Sequence, residues 1–340
     1  MPDRRPYFLT VAGPTGSGKG SLPGKVQKYL RLSKTNTKKL IIDDLVEKSP
    51  RYSQLITELL SGMTEKEKRD VFANPSDEML AELTNAYFTA RSQANCDETD
   101  ENYGKQVSRG DPTTCESLTD NGMTQAFQEG KNIVFETVGK NWPGFQDWIY
   151  GTYGSDIKKH QYRVIMAWSI ADICTILDRN HSRIRPKVDA FLNKTSTKPP
   201  RLPDLRINSV ESDYKAIIEY FDTALDKAVQ MCKDAGLKVQ LLVFDNNTGV
   251  KSKVIFDSMV QNKSAGLRAI RRYHVERLRE CAKTHSPVSP SPVKRSSARS
   301  KTKKKKTRRT KPQTKRVRGH TRSLRIQASR KRSTRKFRTQ

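Results

Sequence analysis

The sequence predicts an α/β domain with a mostly parallel sheet, followed by a disordered basic tail. Short apolar runs alternate with stretches of helical periodicity, which is typical of a parallel sheet flanked by helices. The charge is divided unevenly, because residues 281–340 carry 23 of the 65 Lys and Arg residues and no Asp or Glu. The tail has too few aliphatic residues to offset the entropy of the chain, whereas the first 280 residues can support a sizeable core.

Five apolar runs are the predicted strands of the sheet. They are continuous rather than alternating, which indicates strands that are covered on both faces. In chain order they span residues 7–12, 39–42, 132–135, 163–168 and 239–244.

Helices are predicted between and after these strands. Ser76 is an expected N-cap, because acidic residues follow it and apolar residues then recur at helical spacing as far as Tyr87. The other predicted helices span about residues 171 into the 180s, 208–235 and 265–280. Residues 96–112 and 186–203 are predicted to be surface loops.

The most informative motif directly follows the first predicted strand. It consists of Gly13, Pro14, Thr15, Gly16, Ser17, Gly18, Lys19, Gly20 and Ser21. It matches the phosphate-binding pattern Gly-x-x-x-x-Gly-Lys-[Ser/Thr], except that Gly20 fills the last place. The glycines let backbone N–H groups turn towards an anion, and Lys19 adds a positive charge for the β- and γ-phosphates. We predict that these nine residues bind a nucleotide, with the hydroxyl of Ser21 next in line to contact magnesium.

Acidic residues end two of the predicted strands. Asp43 and Asp44 end the second strand, and Glu136 ends the third. Ligands in such sheets lie beyond the carboxyl ends of the strands, so these carboxylates are expected to face the phosphate-binding loop. One carboxylate can accept the proton of an acceptor hydroxyl, and another can hold magnesium through water. The alternative for each residue is a helix N-cap.

With these motifs the sequence resembles the zeta-toxin-like P-loop kinases, which are relatives of small-molecule and nucleotide kinases. The resemblance rests on GPTGSGKG, on LIIDDLVEKSPRY and on IVFETVGK, and covers about residues 5–250. It implies that Asp44 is the base for the acceptor hydroxyl, with Asp43 as the alternative. We expect Asp43, Glu136 and Lys140 to support the substrate or the metal. Lys140 stands where the family usually has Arg, and a lysine lacks the bidentate geometry.

The resemblance also implies two arginines that close over the triphosphate. Arg179 and Arg201 are the expected pair, with Arg183, Arg185 and Arg206 as nearby alternatives. Guanidinium groups suit a γ-phosphate that gains charge during transfer. The alternative interpretation of this cluster is a solvated basic surface.

The basic tail predicts a polyanionic partner. Residues 285–340 are expected to bind nucleic acid without sequence readout, because Phe337 is the only aromatic residue among the last 60. The segment KTKKKKTRR is alternatively a nuclear localisation signal, and a solubilising tail is the third interpretation. We therefore divide the chain into a kinase domain over residues 1–255, a basic helical extension over 256–284 and a tail over 285–340.

The remaining composition indicates an intracellular protein, cytoplasmic or nuclear. The apolar runs are too short for a membrane span, and the N-terminal one is too short for a signal peptide. The five cysteines lie far apart without a CxxC pair, so we expect reduced thiols and neither a zinc site nor a disulfide framework.

The sequence therefore predicts an ATP- and Mg²⁺-dependent kinase. It would transfer the γ-phosphoryl group to a hydroxyl of a small molecule such as a sugar nucleotide. A nucleoside or polynucleotide kinase is an alternative within the enzymes. From another class, the alternative is a nucleic-acid-binding or packaging protein whose P-loop domain is an ATPase or a scaffold.

Overall fold

The computed structural model describes residues 5–138, 142–201, 239–247 and 252–275, together with single positions between 212 and 230. Contacts divide the chain into two units, Met1–Ser289 and Pro290–Gln340. The predicted tail lies outside the described residues, as does the predicted helix over 208–235 apart from the single positions.

A six-stranded sheet runs through the first unit. Its strands are β1 Tyr7–Ala12, β2 Thr37–Leu40, β3 Asn132–Glu136, β4 Arg163–Ile170, β5 Val239–Asp245 and β6 Lys253–Asp257. Their spatial order is β2-β3-β1-β4-β5-β6. The first five strands are parallel, and β6 is antiparallel to β5. The predicted α/β fold with a mostly parallel sheet is confirmed.

The helices that flank the sheet bury both of its faces. They are α1 Leu22–Leu30, α2 Ile42–Lys48, α3 Pro50–Leu59, α4 Glu65–Ala73, α5 Asp77–Gln93, α6 Cys115–Gln128, α7 Trp142–Lys159, α8 Ile173–Leu192 and α9 Lys263–Val275. The predicted N-cap at Ser76 is confirmed, since its side chain accepts a hydrogen bond from the amide of Met79 at 3.1 Å.

The central strand shows why the apolar runs are continuous. Phe8 belongs to a core cluster that includes Phe127 of α6, whereas Leu9 and Val11 belong to a cluster on the other face with Val26 of α1. Consecutive side chains of a strand point to opposite faces, so a strand between two helical layers needs apolar residues at every position.

Two predicted boundaries are wrong for identifiable reasons. The second strand ends at Leu40 rather than at residue 42, so Asp43 and Asp44 lie in the first turn of α2, where the helix dipole favours acidic side chains. The predicted loop over 186–203 begins too early, because α8 continues through Pro186. Buried Ile184 and Val188 hold that part of α8 against a third core cluster.

The sixth strand was missed by the sequence analysis. It lies at the edge of the sheet, and only its last two residues, Phe256 and Asp257, are buried. Its apolar run, residues 254–256, is only three residues long, and so short a run carries a weak sequence signal.

The expectation of reduced cysteines is wrong for Cys96 and Cys115. They form a disulfide with their Cα atoms 5.0 Å apart, and Cys174 is also disulfide-bonded. The predicted surface loop over 96–112 returns on itself through an isolated bridge between Asn95 and Thr114. That return brings the two cysteines together, which their spacing along the chain does not show.

Among the helices that the structure describes, none has both the length and the apolar character that a membrane crossing requires.

We expect the disulfide to stabilise the fold by restricting the unfolded chain. Its cysteines are 19 residues apart, and a closed loop of that size contributes roughly 3 kcal/mol. The double variant Cys96→Ala/Cys115→Ala should lose about that much free energy of unfolding in non-reducing urea. In the parent protein, alkylation under denaturing but non-reducing conditions should leave both cysteines unmodified, as peptide mass spectrometry would show. Full alkylation of both without a reductant would contradict the disulfide.

Candidate functional site

The phosphate-binding loop lies between β1 and α1, at the carboxyl edge of the sheet. Lys19 to Ser21 form a short 3₁₀ turn that leads into α1. Gly16 and Gly18 have φ angles of 89° and 88°, in the left-handed region that favours glycine. The loop thus has the strand–loop–helix setting that its sequence predicts.

Lys19 is buried inside this loop. Its Nζ donates to the carbonyls of Gly13 and Pro14 at 2.9 and 3.2 Å and lies 4.0 Å from Oε1 of Glu136. Burial lowers the pKa of Lys19, and the carboxylates of Glu136 and Asp43 oppose that effect. Burial raises the pKa of Glu136, which Lys19 opposes. The ammonium group therefore lies at the loop with a carboxylate from β3 beside it.

Three side chains from neighbouring elements hold the carbonyls of the loop. The carbonyl of Ser17 accepts from Oγ of Ser169 at 2.7 Å and from Nδ2 of Asn246 at 2.8 Å. The carbonyl of Thr15 accepts from Nδ2 of Asn180 at 3.0 Å. All three side chains are buried. None of the three belongs to a motif, although each is a polar residue at or just beyond the carboxyl end of β4 or β5, or on the helix after β4.

Donor groups of the loop remain available for an anion. Among the described residues, the amides of Gly16 and Gly18 have no hydrogen-bond acceptor. Buried Nη1 of Arg179 likewise has no hydrogen-bond partner in the described part of the chain. Because buried donors are nearly always paired, Nη1 of Arg179 fits a phosphate that would accept from it, and the two loop amides can donate to the same anion.

Asn246 connects the loop to the predicted arginine. Besides holding Ser17, its Oδ1 accepts from Nζ of Lys25 at 2.8 Å and from Oγ of Ser252 at 2.6 Å. Its backbone carbonyl accepts from Nη2 of Arg179 at 2.6 Å. One residue after β5 therefore positions the loop and Arg179 together.

A cleft of about 1060 Å³ opens from the loop and contains most of the predicted site residues. The charged residues predicted from the sequence that line it are Lys19, Asp43, Asp44, Glu136, Arg179, Arg183 and Arg201. Among the other predicted residues, Arg185 lines a separate groove between α4 and α8. Lys140 and Arg206 lie outside the described residues.

The two aspartates of α2 have different surroundings. Asp43 forms an ion pair with Arg201 and accepts a hydrogen bond from the hydroxyl of Tyr87. Asp44 is exposed and lines the cleft, and its carboxylate has no ion-pair or hydrogen-bond partner among the described residues. The sequence predicts Tyr87 only as a packing position on its helix. Its partners in the site are distant in sequence, and no local pattern indicates them.

The predicted metal contact, the hydroxyl of Ser21, is engaged by the loop itself. The hydroxyl of Ser21 donates to the carbonyl of Gly18 at 3.0 Å on the exposed side of the turn. Within the described ranges no group of three or more His, Cys, Asp or Glu residues is arranged to hold a metal ion. Oxygen donors near the loop are Glu136 and Ser21, and magnesium prefers oxygen ligands.

Alanine substitutions at two glycines of the loop should distinguish the effect of backbone geometry from the effect of added side-chain size. Gly18→Ala should weaken nucleotide binding at least about tenfold, because a left-handed alanine costs about 1–2 kcal/mol. Its Cβ would also overlap the side-chain amide of Asn246. Gly20→Ala is the matched control, since its Cβ would meet no atom within 4 Å. Titration of both variants with a fluorescent ATP analogue measures the effect. Equal affinities would contradict the loop geometry.

Comparisons with known proteins give distant structural matches. No family model matches the chain, and no curated protein matches it. A structure from the PezAT chromosomal toxin–antitoxin system of Streptococcus pneumoniae covers 83% of this chain and 84% of its own, at 12% identity and a TM-score of 0.40. An AvrRxo1-ORF1:-ORF2 structure with ATP covers 74% and 58%, at 12% identity and a TM-score of 0.35. A putative kinase from Chloroflexus aurantiacus covers 79% and 99%, at 12% identity and a TM-score of 0.32.

The chain's own strand order and loop define its fold. The loop follows the central strand, and β3 carries Glu136 to its edge beside Lys19. These features place a phosphate-binding loop at the carboxyl edge of a mostly parallel α/β sheet, as the sequence predicts.

Proposed function

We propose that the protein is an ATP-dependent kinase that transfers the γ-phosphoryl group to a hydroxyl of a small molecule such as a sugar nucleotide. The observation that carries this proposal is the shared cleft, in which the phosphate-binding loop and the carboxylates of α2 and β3 face one space. Phosphoryl transfer needs both an electrostatic cradle for the donor and a carboxylate for the acceptor hydroxyl.

The donor side of the reaction is assigned to the loop and the arginines. The amides of residues 13–21 and the ammonium group of Lys19 would hold the phosphates, as phosphate-binding loops do. Nη1 of Arg179 lacks a partner among the described residues and would donate to the triphosphate. Arg201 is proposed to donate to the transferring group as its charge grows.

The acceptor side is assigned to the carboxylates. Asp44 would accept the proton of the acceptor hydroxyl. At the same time the hydroxyl oxygen would bond to the γ-phosphorus, and the bond from that phosphorus to ADP would break so that ADP leaves. Its exposure in the cleft leaves it accessible to an acceptor. Asp43 is the alternative base, although its carboxylate is engaged by Arg201 and Tyr87. Glu136, supported by Lys140, is proposed to position the acceptor or the metal.

Magnesium would be contacted by Ser21 and, through water, by Glu136. When bound, the ion neutralises charge between the β- and γ-phosphates.

The basic tail is proposed to add a second activity. Residues 285–340 would bind nucleic acid without sequence specificity or direct the protein to the nucleus, following the kinase domain at 1–255 and the extension at 256–284. A cytoplasmic or nuclear location accompanies this proposal. Stable disulfides are rare in those compartments, so the alkylation experiment also bears on location.

Replacement of Lys19 should abolish transfer without unfolding the protein. Lys19→Ala removes the charge that holds the phosphates, so kcat/KM should fall about 100-fold or more. Lys28→Ala is the control, since Lys28 is an exposed residue of α1. The assay supplies γ-labelled ATP with a panel of sugar nucleotides, nucleosides and nucleic-acid ends. Transfer by Lys19→Ala at the parent rate would refute the assignment, and release of phosphate alone would favour an ATPase.

Deletion of residues 285–340 should distinguish a kinase from a nucleic-acid-driven ATPase. If the protein is a kinase, the deletion variant should keep its turnover on a small acceptor. Its affinity for DNA or RNA should fall, and the remaining affinity should no longer depend steeply on salt concentration. Turnover and DNA affinity are measured over a range of salt concentrations. If the deletion instead removes a stimulation of ATP hydrolysis by nucleic acid, the packaging interpretation is favoured.

A further inference from the structure

Three side chains from separate segments form a closed set of contacts in the cleft. Arg201, which follows α8, pairs with Asp43 of α2. The hydroxyl of Tyr87, on α5, donates to the other carboxylate oxygen of Asp43. The guanidinium carbon of Arg201 lies 4.4 Å from the centre of the Tyr87 ring. Each residue therefore contacts the other two.

We propose that Tyr87 is a positioning residue that holds Arg201 at the phosphate-binding loop, and that Asp43 and the bound triphosphate compete for that guanidinium. This inference rests on the proposed function, because it assigns the order of events within the same cleft. The enzyme would bind nucleotide first. Arg201 would then exchange its ion pair with Asp43 for one with the phosphates, and this exchange would free Asp43 on the acceptor side.

The ring of Tyr87 is a fixed surface rather than a mobile one. Tyr87 is 6% exposed, and it packs edge-on against Tyr52 at 6.1 Å and against Phe88 at 5.4 Å between ring centres. Burial raises the pKa of the Tyr87 hydroxyl, so this group remains a hydrogen-bond donor at neutral pH. The side chain can therefore hold both of its partners in place.

The contact with the ring leaves donors of the guanidinium available. The guanidinium carbon of Arg201 lies over the face of the Tyr87 ring, and Nη1 pairs with Asp43 in the same arrangement. Those donors can reach a carboxylate or a phosphate without leaving the ring. Tyr87 would thus support Arg201 both before and after nucleotide binds.

The pair also lies within electrostatic range of the loop. Asp43 and Arg201 both affect the pKa of Lys19, Asp43 raising it and Arg201 lowering it. The side chains of Arg201 and Asp43 are 28% and 38% exposed, so exchanging one partner for another requires little change in burial. A triphosphate next to Lys19 offers more negative charge than one carboxylate and should win this competition.

The competition predicts that removal of the Asp43 charge tightens nucleotide binding. Asp43→Asn should lower the Kd for MgATP about fivefold to tenfold, the range of modest coupling between sites. The same substitution in an Arg201→Ala background should leave the Kd unchanged, because no guanidinium remains to be released. Glu47→Gln is the control, since Glu47 also lines the cleft but pairs with Lys187 at 2.9 Å.

Two substitutions test the role of Tyr87 itself. Tyr87→Leu removes the ring and should weaken MgATP binding about threefold to tenfold, whereas Tyr87→Phe keeps the ring and should restore the parent affinity. Isothermal titration gives the Kd values, and circular dichroism confirms that each variant is folded.

The outcomes separate this inference from the proposed function. If the parent protein binds no MgATP, the proposed function fails. If the parent binds MgATP but Asp43→Asn does not tighten it, or Glu47→Gln tightens it equally, the competition for Arg201 is refuted. If Tyr87→Phe binds as weakly as Tyr87→Leu, the ring is not the support of Arg201.

Discussion

The site depends on the anchoring of the loop carbonyls by buried amide and hydroxyl groups. Ser169 and Asn246 hold the carbonyl of Ser17, and Asn180 holds that of Thr15. Because these carbonyls are held by side chains, the loop keeps a conformation in which the amides of Gly16 and Gly18 can donate to a ligand. A loop rich in glycine has a large conformational entropy, so without such anchors the anion site would exist only part of the time.

The same anchors connect the loop to the rest of the cleft. Asn246 lies directly after β5, and its backbone also holds Arg179, which comes from α8. Glu136 reaches Lys19 from the end of β3. Parallel strands deliver their carboxyl ends to one edge of the sheet, and for that reason residues far apart in sequence meet here.

Two ion pairs in the cleft connect α2 to other elements. Asp43 pairs with Arg201, and Glu47 pairs with Lys187, so α2 is connected both to α8 and to the segment that follows it. A third core cluster beneath these pairs includes the disulfide-bonded Cys96 and Cys115 together with Tyr52 and Tyr87. The disulfide therefore belongs to the core layer that also contains Tyr87 and residues of α2.

The sequence by itself determined the features that depend on neighbouring residues. The buried strands β1, β3, β4 and β5, the Ser76 cap, the phosphate-binding loop and the acidic residues after β2 and at the end of β3 all follow from local periodicity and local motif. Tertiary structure alone decided which groups meet, namely Asn246 with Ser17, Tyr87 with Asp43 and Arg201, and Cys96 with Cys115. The physical reason is that hydrogen bonds and ion pairs act over a few ångströms in space, and no local pattern records which distant segments the packed sheet brings within that range.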